Sequence, residues 1–158
     1  MSLSISLTVN GKHHAADIEP SATLLDVLRD TLNYKGVKLC CTTGECGACT
    51  ILLNGKPINA CITLAAGANG AGILTVEGLA DGGKLHPIQQ AFIDAGAVQC
   101  GYCTPGFIVS VKALLDRSPH PNQEEIEEAV SGNICRCTGY VKIVDAIQLA
   151  AQALEARR

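Results

Sequence analysis

Apolar and polar residues alternate strictly at the start of the chain. Odd positions from 3 to 9 carry Leu, Ile or Val, and even positions from 2 to 8 carry Ser or Thr. A period of two predicts a strand with one buried face. Asn10-Gly11 then favours a tight type I′ hairpin turn, so residues 12–18 are predicted to form the second strand.

The rest of the first half predicts one helix and three further strands. Leucines at 24, 25, 28 and 32 recur at helical spacing within residues 23–32. Residues 51–53 and 57–60 flank an Asn-Gly pair and predict a second hairpin, and residues 73–76 predict a last short strand. A hairpin, a helix, a cysteine-rich loop and another hairpin together indicate a small β-grasp arrangement.

Four helices are predicted in the second half. The first covers residues 87–95, and the second has Thr104 as its N-cap and Pro105 as its first helical residue. Asn122 and Glu125 have the spacing of a capping box, which opens the third helix. The last helix is expected to carry one apolar stripe, formed by Tyr140, Val144, Ile147, Ala151 and Leu154. Short helices with short connections predict a bundle.

These patterns predict an α+β chain with two domains. A Gly- and Ala-rich segment at residues 65–83 separates the strand pattern from the helical pattern, and the boundary is expected within 77–84. We therefore assign residues 1–78 to an N-terminal β-grasp domain and residues 79–158 to an all-α four-helix-bundle domain.

The composition indicates small cores and little surface charge. Apolar residues make up 47% of the chain, charged residues 17% and aromatic residues 3%, whereas soluble domains usually have about 25% charged residues. Domains this small have marginal hydrophobic cores, and a metal centre is one common way to stabilise them. The low charge has two explanations: apolar surface hidden in a large subunit interface, or simply an abundance of Ala and Gly.

Charge and hydropathy exclude two classes of partner. The net charge is −3 and the sequence has no basic stripe, so nucleic-acid binding is not expected. Membrane spans need about 20 apolar residues, and no run approaches that length. The first residues resemble neither a signal peptide nor a twin-arginine signal, so we expect a cytoplasmic location. In that reducing compartment the nine cysteines indicate metal ligands rather than disulfides.

One set of four cysteines has the spacing of a plant-type 2Fe–2S site, Cys-x4-Cys-x2-Cys with a fourth Cys further on. Its members are Cys41, Cys46, Cys49 and Cys61. Gly44 and Gly47 lie between these ligands and allow the backbone to curl tightly around a cluster. Four thiolates also suit zinc, but zinc ribbons use two Cys-x2-Cys pairs and this set contains only one.

Cys40 makes the first ligand ambiguous. Cys40 in place of Cys41 would give an x5 spacing, or Cys40 is a spare thiol beside the site. Because eight other cysteines already form two complete sets, we expect that Cys40 is not a ligand. Substitution of Cys40 by Ser should then leave the number of clusters unchanged.

The second set consists of two close pairs, Cys100-x2-Cys103 and Cys135-x-Cys137. Each pair directly precedes a predicted helix start, where free N–H groups and the helix dipole favour negative charge. We therefore expect two helices to direct their N-termini at one shared cluster. A Cys-x2-Cys pair alone is also typical of thioredoxin-like redox sites, but the additional pair favours a four-ligand site. Arg136 supplies a cation there, or takes part in a surface salt bridge.

Three motifs together resemble a known family. The segments GECGACT at 44–50, VQCGYCTPG at 98–106 and SGNICRCTGY at 131–140 are similar to the small iron–sulfur subunit of molybdenum hydroxylases, the xanthine dehydrogenase and aldehyde oxidoreductase family. The similarity runs from the first strand to the last helix. One departure is Cys40, where the family usually has Gly. If φ is positive there, a non-Gly residue costs about 1 kcal/mol.

The resemblance implies a ferredoxin-like domain and a helical domain, each with one 2Fe–2S cluster. It implies an electron-transfer subunit that connects molybdopterin in a large subunit with FAD in a medium subunit or with an external acceptor. The helical-domain cluster would lie beside the pterin, and Gln99 and the region of Cys137 would contact the pterin. The alternative for Gln99 is a solvent-exposed polar residue at a helix end. We assign no catalytic residue, because the substrate pocket would belong to another subunit.

Two other functions are compatible with the sequence. A free-standing two-cluster ferredoxin or redox sensor would be soluble and monomeric, whereas an obligate subunit would copurify with larger chains that carry Mo and FAD. A zinc-stabilised interaction module would be colourless and lack acid-labile sulfide. The histidines show no paired Cys-x-His spacing, and we assign no metal role to His13, His14, His86 or His120.

Overall fold

A five-stranded mixed sheet is formed by the first half of the chain. The computed structural model describes residues 2–157. The strands are β1 (Leu3–Val9), β2 (Lys12–Ile18), β3 (Thr50–Leu53), β4 (Lys56–Asn59) and β5 (Gly72–Leu74). Their order is β2-β1-β5-β3-β4. Only the β1–β5 pair is parallel, and the other three pairs are antiparallel.

The two predicted hairpins are confirmed. Asn10 and Gly11 both have positive φ, and so do Asn54 and Gly55, as a type I′ turn requires. The alternation in β1 is also confirmed, since Ile5, Leu7 and Val9 are buried while the Ser and Thr residues between them are not. Leu3 is the exception and stays 41% exposed at the start of the strand.

The last strand is shorter than the predicted 73–76. It ends at Leu74, because the backbone N–H of Thr75 donates to the Asn10 side chain instead of a neighbouring strand. The Asn10 amide in turn donates to the Thr75 hydroxyl, and Thr75 is fully buried. The chain then turns through a 3₁₀ segment, Val76–Leu79, toward the helices.

The predicted helix at 23–32 forms with a different winding. It begins with one α-helical turn, α1 (Leu24–Asp26), and continues as a π-helical turn at Val27–Thr31. Thr23 and Asp26 form a capping box at its start. At its end the N–H of Leu32 donates to the Val27 carbonyl, five residues back. The hydrophobic periodicity predicted the buried leucines but not the π-helical turn.

The second half contains four helices, α2 (Pro87–Asp94), α3 (Thr104–Arg117), α4 (Gln123–Val130) and α5 (Val141–Glu155). Asn122 and Glu125 form the predicted capping box. His86 caps α2 through its side chain, as expected for a helix-start residue. Thr104 is the first helical residue of α3 rather than its N-cap, a shift of one residue, and Cys103 takes the N-cap position.

The buried face of α5 differs from the predicted stripe. Tyr140 precedes the helix with φ of 69° and is 39% exposed. Val144, Ala151 and Leu154 are only partly buried. Ile147 is fully buried as predicted, and the other fully buried residues, Ile143, Ala146 and Ala150, lie one position before predicted members of the stripe or next to Ile147. Because α5 packs against α2 on one side and α4 on the other, its buried face is set by these neighbours and not by hydrophobicity alone.

Two hydrophobic cores lie side by side, so the chain is α+β. The first is centred on Leu7, Leu24, Leu28 and Ile51, and the second on Phe92, Phe107, Ile126 and Ile147. Leu74 and Val76, which precede the predicted boundary, already pack against the second core. Helix α3 also packs on strand β3, so the sheet and the helices are in direct contact. No helix within residues 2–157 is long and apolar enough to cross a membrane.

Candidate metal centres

The first cysteine set gathers around a loop that enters β3. Cys49 immediately precedes β3 and is buried, and Cys61 is buried in a 3₁₀ turn after β4. Cys41 and Cys46 are half-buried on the loop itself. The N–H of Cys46 donates to the Cys41 sulfur over 3.4 Å. The side chains of Cys49 and Cys61 are within hydrogen-bonding reach of each other, so the four predicted ligands meet as two pairs.

The thiols of this set differ in acidity. Hydrogen bonds from the Thr43 side chain and from the backbone N–H groups of Cys46 and Thr43 lower the pKa of Cys41 to about 5. Burial raises the pKa of Cys49 to about 11. Cys41 is therefore a ready anionic donor, whereas metal binding at Cys49 has to displace a proton.

Backbone geometry explains the small residues of this loop. Gly44 and Gly47 have φ of 81° and 67°, a region in which L-residues are strained. A Cβ on Gly44 would also lie 2.6 Å from Cδ1 of Ile62. Thr42 has φ of 61° although it is β-branched. Cys40 is not among the residues with positive φ, so the cost considered for Cys40 does not arise there, and the strained non-glycine residue is Thr42.

Cys40 lies beside this set. Its side chain is exposed and within hydrogen-bonding reach of Cys46, and this hydrogen bond is the main reason that the pKa of Cys40 is raised. Cys46 thus contacts both Cys40 and Cys41. That Cys40 is not a ligand stays a prediction.

The second cysteine set lies between the starts of α3 and α5. Cys103 is the N-cap of α3 and is half-buried, while Cys100 is exposed on the preceding bend. Cys135 is buried and Cys137 exposed in the loop before α5. The sulfurs of Cys100 and Cys137 are 3.6 Å apart, and the side chains of Cys103 and Cys135 are within hydrogen-bonding reach. This set also meets as two pairs.

Two helix N-termini were predicted at the second cysteine set, and only that of α3 directly follows its cysteines. Helix α3 begins directly after Cys103, but α5 begins at Val141, beyond Thr138-Gly139-Tyr140. The donors to the Cys135 sulfur come from this loop, because the Thr138 hydroxyl lies 3.1 Å and its N–H 3.4 Å from that sulfur. Burial alone would raise the pKa of Cys135, but the Thr138 hydrogen bonds outweigh it and lower the pKa to about 7. Burial raises the pKa of Cys103 to about 12.

The paired arrangement is informative about the group that would be bound. Within residues 2–157 no three or more Cys, His, Asp or Glu side chains are arranged to hold one metal ion. The eight sulfurs form four pairs: Cys41 with Cys46, Cys49 with Cys61, Cys100 with Cys137, and Cys103 with Cys135. A 2Fe–2S cluster takes two protein ligands on each iron. Each set of two cysteine pairs therefore fits one such cluster.

A cavity of about 220 Å³ lies at the second set and reaches one ligand of the first. All four cysteines of the second set line it with Tyr102, Ile134 and Arg136, and Cys40, Cys46 and Ala48 complete the lining. These lining residues, all in the described part of the chain, include one cation and no carboxylate. Such a lining suits an anionic cluster held by thiolates. Gln99 is exposed next to Cys100.

The structure adds contacts that the sequence analysis missed. Ile134 donates its backbone N–H to the Cys46 carbonyl over 2.9 Å, and Tyr102 donates its hydroxyl to the Leu39 carbonyl. Asn133 is buried between the two halves. The only signal in the sequence was the position of Asn133 and Ile134, directly before Cys135 in the third motif.

The comparisons with known proteins cover almost the whole chain. Residues 7–72 match the family described as 2Fe-2S iron-sulfur cluster binding domain, and residues 75–148 match the [2Fe-2S] binding domain. The nicotinate dehydrogenase small FeS subunit of Eubacterium barkeri is 50% identical over 150 residues, which are 95% of this chain and 96% of that protein. The aldehyde oxidoreductase iron-sulfur-binding subunit of Escherichia coli (strain K12) is 44% identical over 162 aligned positions, covering 93% of this chain and 71% of that one.

A solved structure agrees with these relatives. The crystal structure of quinoline 2-oxidoreductase from Pseudomonas putida 86 contains a chain that superposes with a TM-score of 0.94 at 43% identity, covering 98% of this chain and 97% of that one. The resemblance carried by the three cysteine motifs is thereby confirmed. The chain belongs to the family of small 2Fe–2S subunits of molybdenum hydroxylases.

Proposed function

We propose that this chain is the electron-transfer subunit of a molybdenum hydroxylase. It would connect a large molybdopterin-binding subunit with an FAD-binding subunit or an external acceptor. The observation that carries the proposal is the presence of two four-cysteine sets, each arranged as two pairs. A cavity lined by the whole second set also reaches Cys46 of the first. Two bound 2Fe–2S clusters supply one-electron transfer without any further reactive group.

We assign the ligands by set. Cys41, Cys46, Cys49 and Cys61 would hold the first cluster, and Cys100, Cys103, Cys135 and Cys137 the second. Cys49 and Cys61 would anchor the first cluster to the sheet core, of which they are already part. In the second set, Thr138 would orient Cys135 through its two hydrogen bonds.

We keep the division into a ferredoxin-like β-grasp domain at 1–78 and a helical domain at 79–158. The two family matches, which end at residue 72 and begin at residue 75, support this division. So do the two separate cores, because Leu79 is the first buried residue of the second core. The packing of Leu74 and Val76 on the helices means that the domains are not independent.

The partner surfaces follow from exposure. Cys100 and Cys137 are exposed, and so are the neighbouring side chains of Val98, Tyr102 and Ile134. An apolar surface around exposed ligands fits a large subunit that places its pterin beside the second cluster, in contact with Gln99 and Cys137. Ile62 and Leu64, exposed beside Cys61, fit the side of the acceptor subunit. A cytoplasmic location agrees with nine cysteines, none of which forms a disulfide within the described chain.

The test is purification of the native complex from cells. We expect the chain to copurify with a larger Mo-containing subunit and to carry the iron and acid-labile sulfide of two 2Fe–2S clusters, with two distinct EPR signals after reduction. Flavin analysis decides whether an FAD subunit is present. A monomeric two-cluster protein would favour a free-standing ferredoxin or redox sensor, and a colourless zinc protein would end the redox proposal.

A further inference from the structure

A buried amide joins the two halves of the molecule next to both cysteine sets. Asn133 is only 4% exposed. Its Nδ2 donates to the Gly47 carbonyl over 3.0 Å, between the candidate ligands Cys46 and Cys49, and lies 3.4 Å from the Thr50 hydroxyl. Its Oδ1 accepts a 2.7 Å hydrogen bond from the hydroxyl of Ser110 on α3. The amide is therefore satisfied as a donor on the sheet side and as an acceptor on the helix side.

The next residue repeats the connection. The N–H of Ile134 donates to the Cys46 carbonyl, so two consecutive carbonyls of the first loop are held by two consecutive residues of the second half. In a planar trans peptide the N–H points opposite to the carbonyl. With these carbonyls turned toward the helices, the N–H groups of Gly47 and Ala48 point the other way. Asn133 and Ile134 thus help to hold the direction of these loop dipoles, together with Thr50, whose N–H and hydroxyl also donate to the Gly47 carbonyl over 3.1 and 2.7 Å.

The backbones also meet without intervening side chains. A Cβ on Gly106 of α3 would lie far inside van der Waals contact with the Gly47 oxygen. A Cβ on Gly47 would collide in the same way with the Gly132 oxygen and the Asn133 amide. The two halves therefore have one tightly defined separation at this point, which lies between Cys46 on one side and Cys135 on the other.

We propose that Asn133 is a positioning residue for electron transfer between the two centres. It fixes the separation of the first and second cysteine sets and the orientation of the loop that holds the first. The proposal rests on the proposed function, because it presumes that both sets hold clusters. An amide suits the position because it donates and accepts at once, whereas an apolar residue would leave the buried Ser110 hydroxyl without its acceptor.

The test compares Asn133→Ala with Asn59→Ala in the full chain loaded with both clusters. Asn59 is a matched control, because its amide donates to the Gly44 carbonyl of the same loop over 2.6 Å but belongs to the same half of the chain. When both clusters are reduced, each carries an unpaired spin, and their magnetic interaction splits the EPR signals to a degree that falls steeply with distance.

We expect Asn133→Ala to weaken this splitting and to shift the reduction potential of the first centre downward, because the Gly47 carbonyl loses its one hydrogen bond from a side chain of the helical half. Asn59→Ala should lower thermal stability but leave the splitting intact. Equal splitting in wild type and Asn133→Ala, or equal loss in both variants, would overturn the proposal.

A second variant serves if Asn133→Ala does not fold. Gly106→Ala favours the helix locally but inserts a Cβ against the Gly47 oxygen, and Gly132→Ala is its control because nothing lies within 4 Å of a Cβ there. Gly106→Ala should weaken the EPR splitting, and Gly132→Ala should not. An unchanged splitting in Gly106→Ala counts against the proposal. Wild-type chain with fewer than two signals would refute the proposed function as well, whereas two interacting signals insensitive to these variants would refute only the role of Asn133.

Discussion

The two halves of the molecule bury their cysteines to different degrees. In the sheet half, Cys49 and Cys61 are part of the hydrophobic core, and a strained loop carries the half-buried Cys41 and Cys46. In the helical half, Cys135 belongs to the core, but Cys100 and Cys137 are exposed at the surface. The first site is thus embedded in its own domain, whereas the second is open toward a neighbour. Loss of a ligand should have different consequences in the two halves.

The largest expected effect is the loss of a cluster on substitution of a ligand, and Cys49→Ser and Cys137→Ser compare this loss in the two halves. Each variant should lose one EPR signal and half of the iron. Cys49→Ser should in addition lower the unfolding free energy of the chain by about 1–3 kcal/mol, because it buries a hydroxyl in an apolar core. Cys137→Ser, at an exposed position, should leave the stability of the metal-free chain nearly unchanged. Denaturant unfolding of the metal-free chain measures the stability of both variants. Equal destabilisation by Cys49→Ser and Cys137→Ser would contradict the proposed difference in burial between the two sites.

Glycine substitution tests the backbone strain in the first cysteine loop. Gly44→Ala places a side chain at φ of 81° and against Ile62, so we expect a cost of roughly 1–2 kcal/mol before any steric contribution. Gly67→Ala is the control, since it has neither positive φ nor a neighbour within 4 Å. Thermal unfolding of both variants would show the difference, and a Gly44 variant as stable as the control would contradict it.

Helix caps should make similar contributions in both halves. Thr23 and Asn122 each form a complete capping box, with Asp26 and Glu125 respectively. Replacement of either by Ala should cost about 1 kcal/mol. Chemical denaturation measures the unfolding free energy of both variants. A much smaller loss for Thr23→Ala would mean that the π-helical turn after Thr23, and not the capping box, stabilises the start of this helix.

A smaller, pH-dependent effect is expected at the start of α2 in the helical half. Burial lowers the pKa of His86, whose Nδ1 accepts the N–H of Ile88 at the start of α2. The unfolded chain then binds the proton more readily, so stability is full above the ordinary His pKa of about 6.5 and falls as the pH drops below it. His86→Asn keeps a capping acceptor without titrating. Its unfolding free energy should change less than that of wild type between pH 7 and pH 5 (about the range of an ordinary His), and parallel curves would exclude His86 as the cause.

The smallest effect is expected for Cys40→Ser. The side chain is exposed, and surface substitutions usually change stability by less than about 0.5 kcal/mol. Both EPR signals and the full iron content should remain. Loss of the first signal would make Cys40 a ligand in place of Cys41, since both lie within reach of Cys46.

Much of this architecture could be read from local patterns. Both Asn-Gly turns, the alternation in β1 and the capping box at Asn122 needed only neighbouring residues, and the composition of the two cysteine sets stays a prediction. The predictions from sequence were wrong where contacts with residues distant in the chain determine the local structure. Strand β5 ends early because Asn10 binds Thr75, and the buried face of α5 is rotated by its packing against other helices.

Sequence alone predicted most of the strands and helices and grouped eight cysteines into two candidate ligand sets, because turn geometry and helix caps act over a few positions and cysteine spacing is read directly from the chain. Only the tertiary structure decided how the two cysteine sets face each other. That relation depends on Asn133, Ile134 and the Gly47–Gly106 approach. A buried hydrogen bond between residues 86 positions apart has no local signature, since its strength comes from exclusion of water that only the folded chain provides.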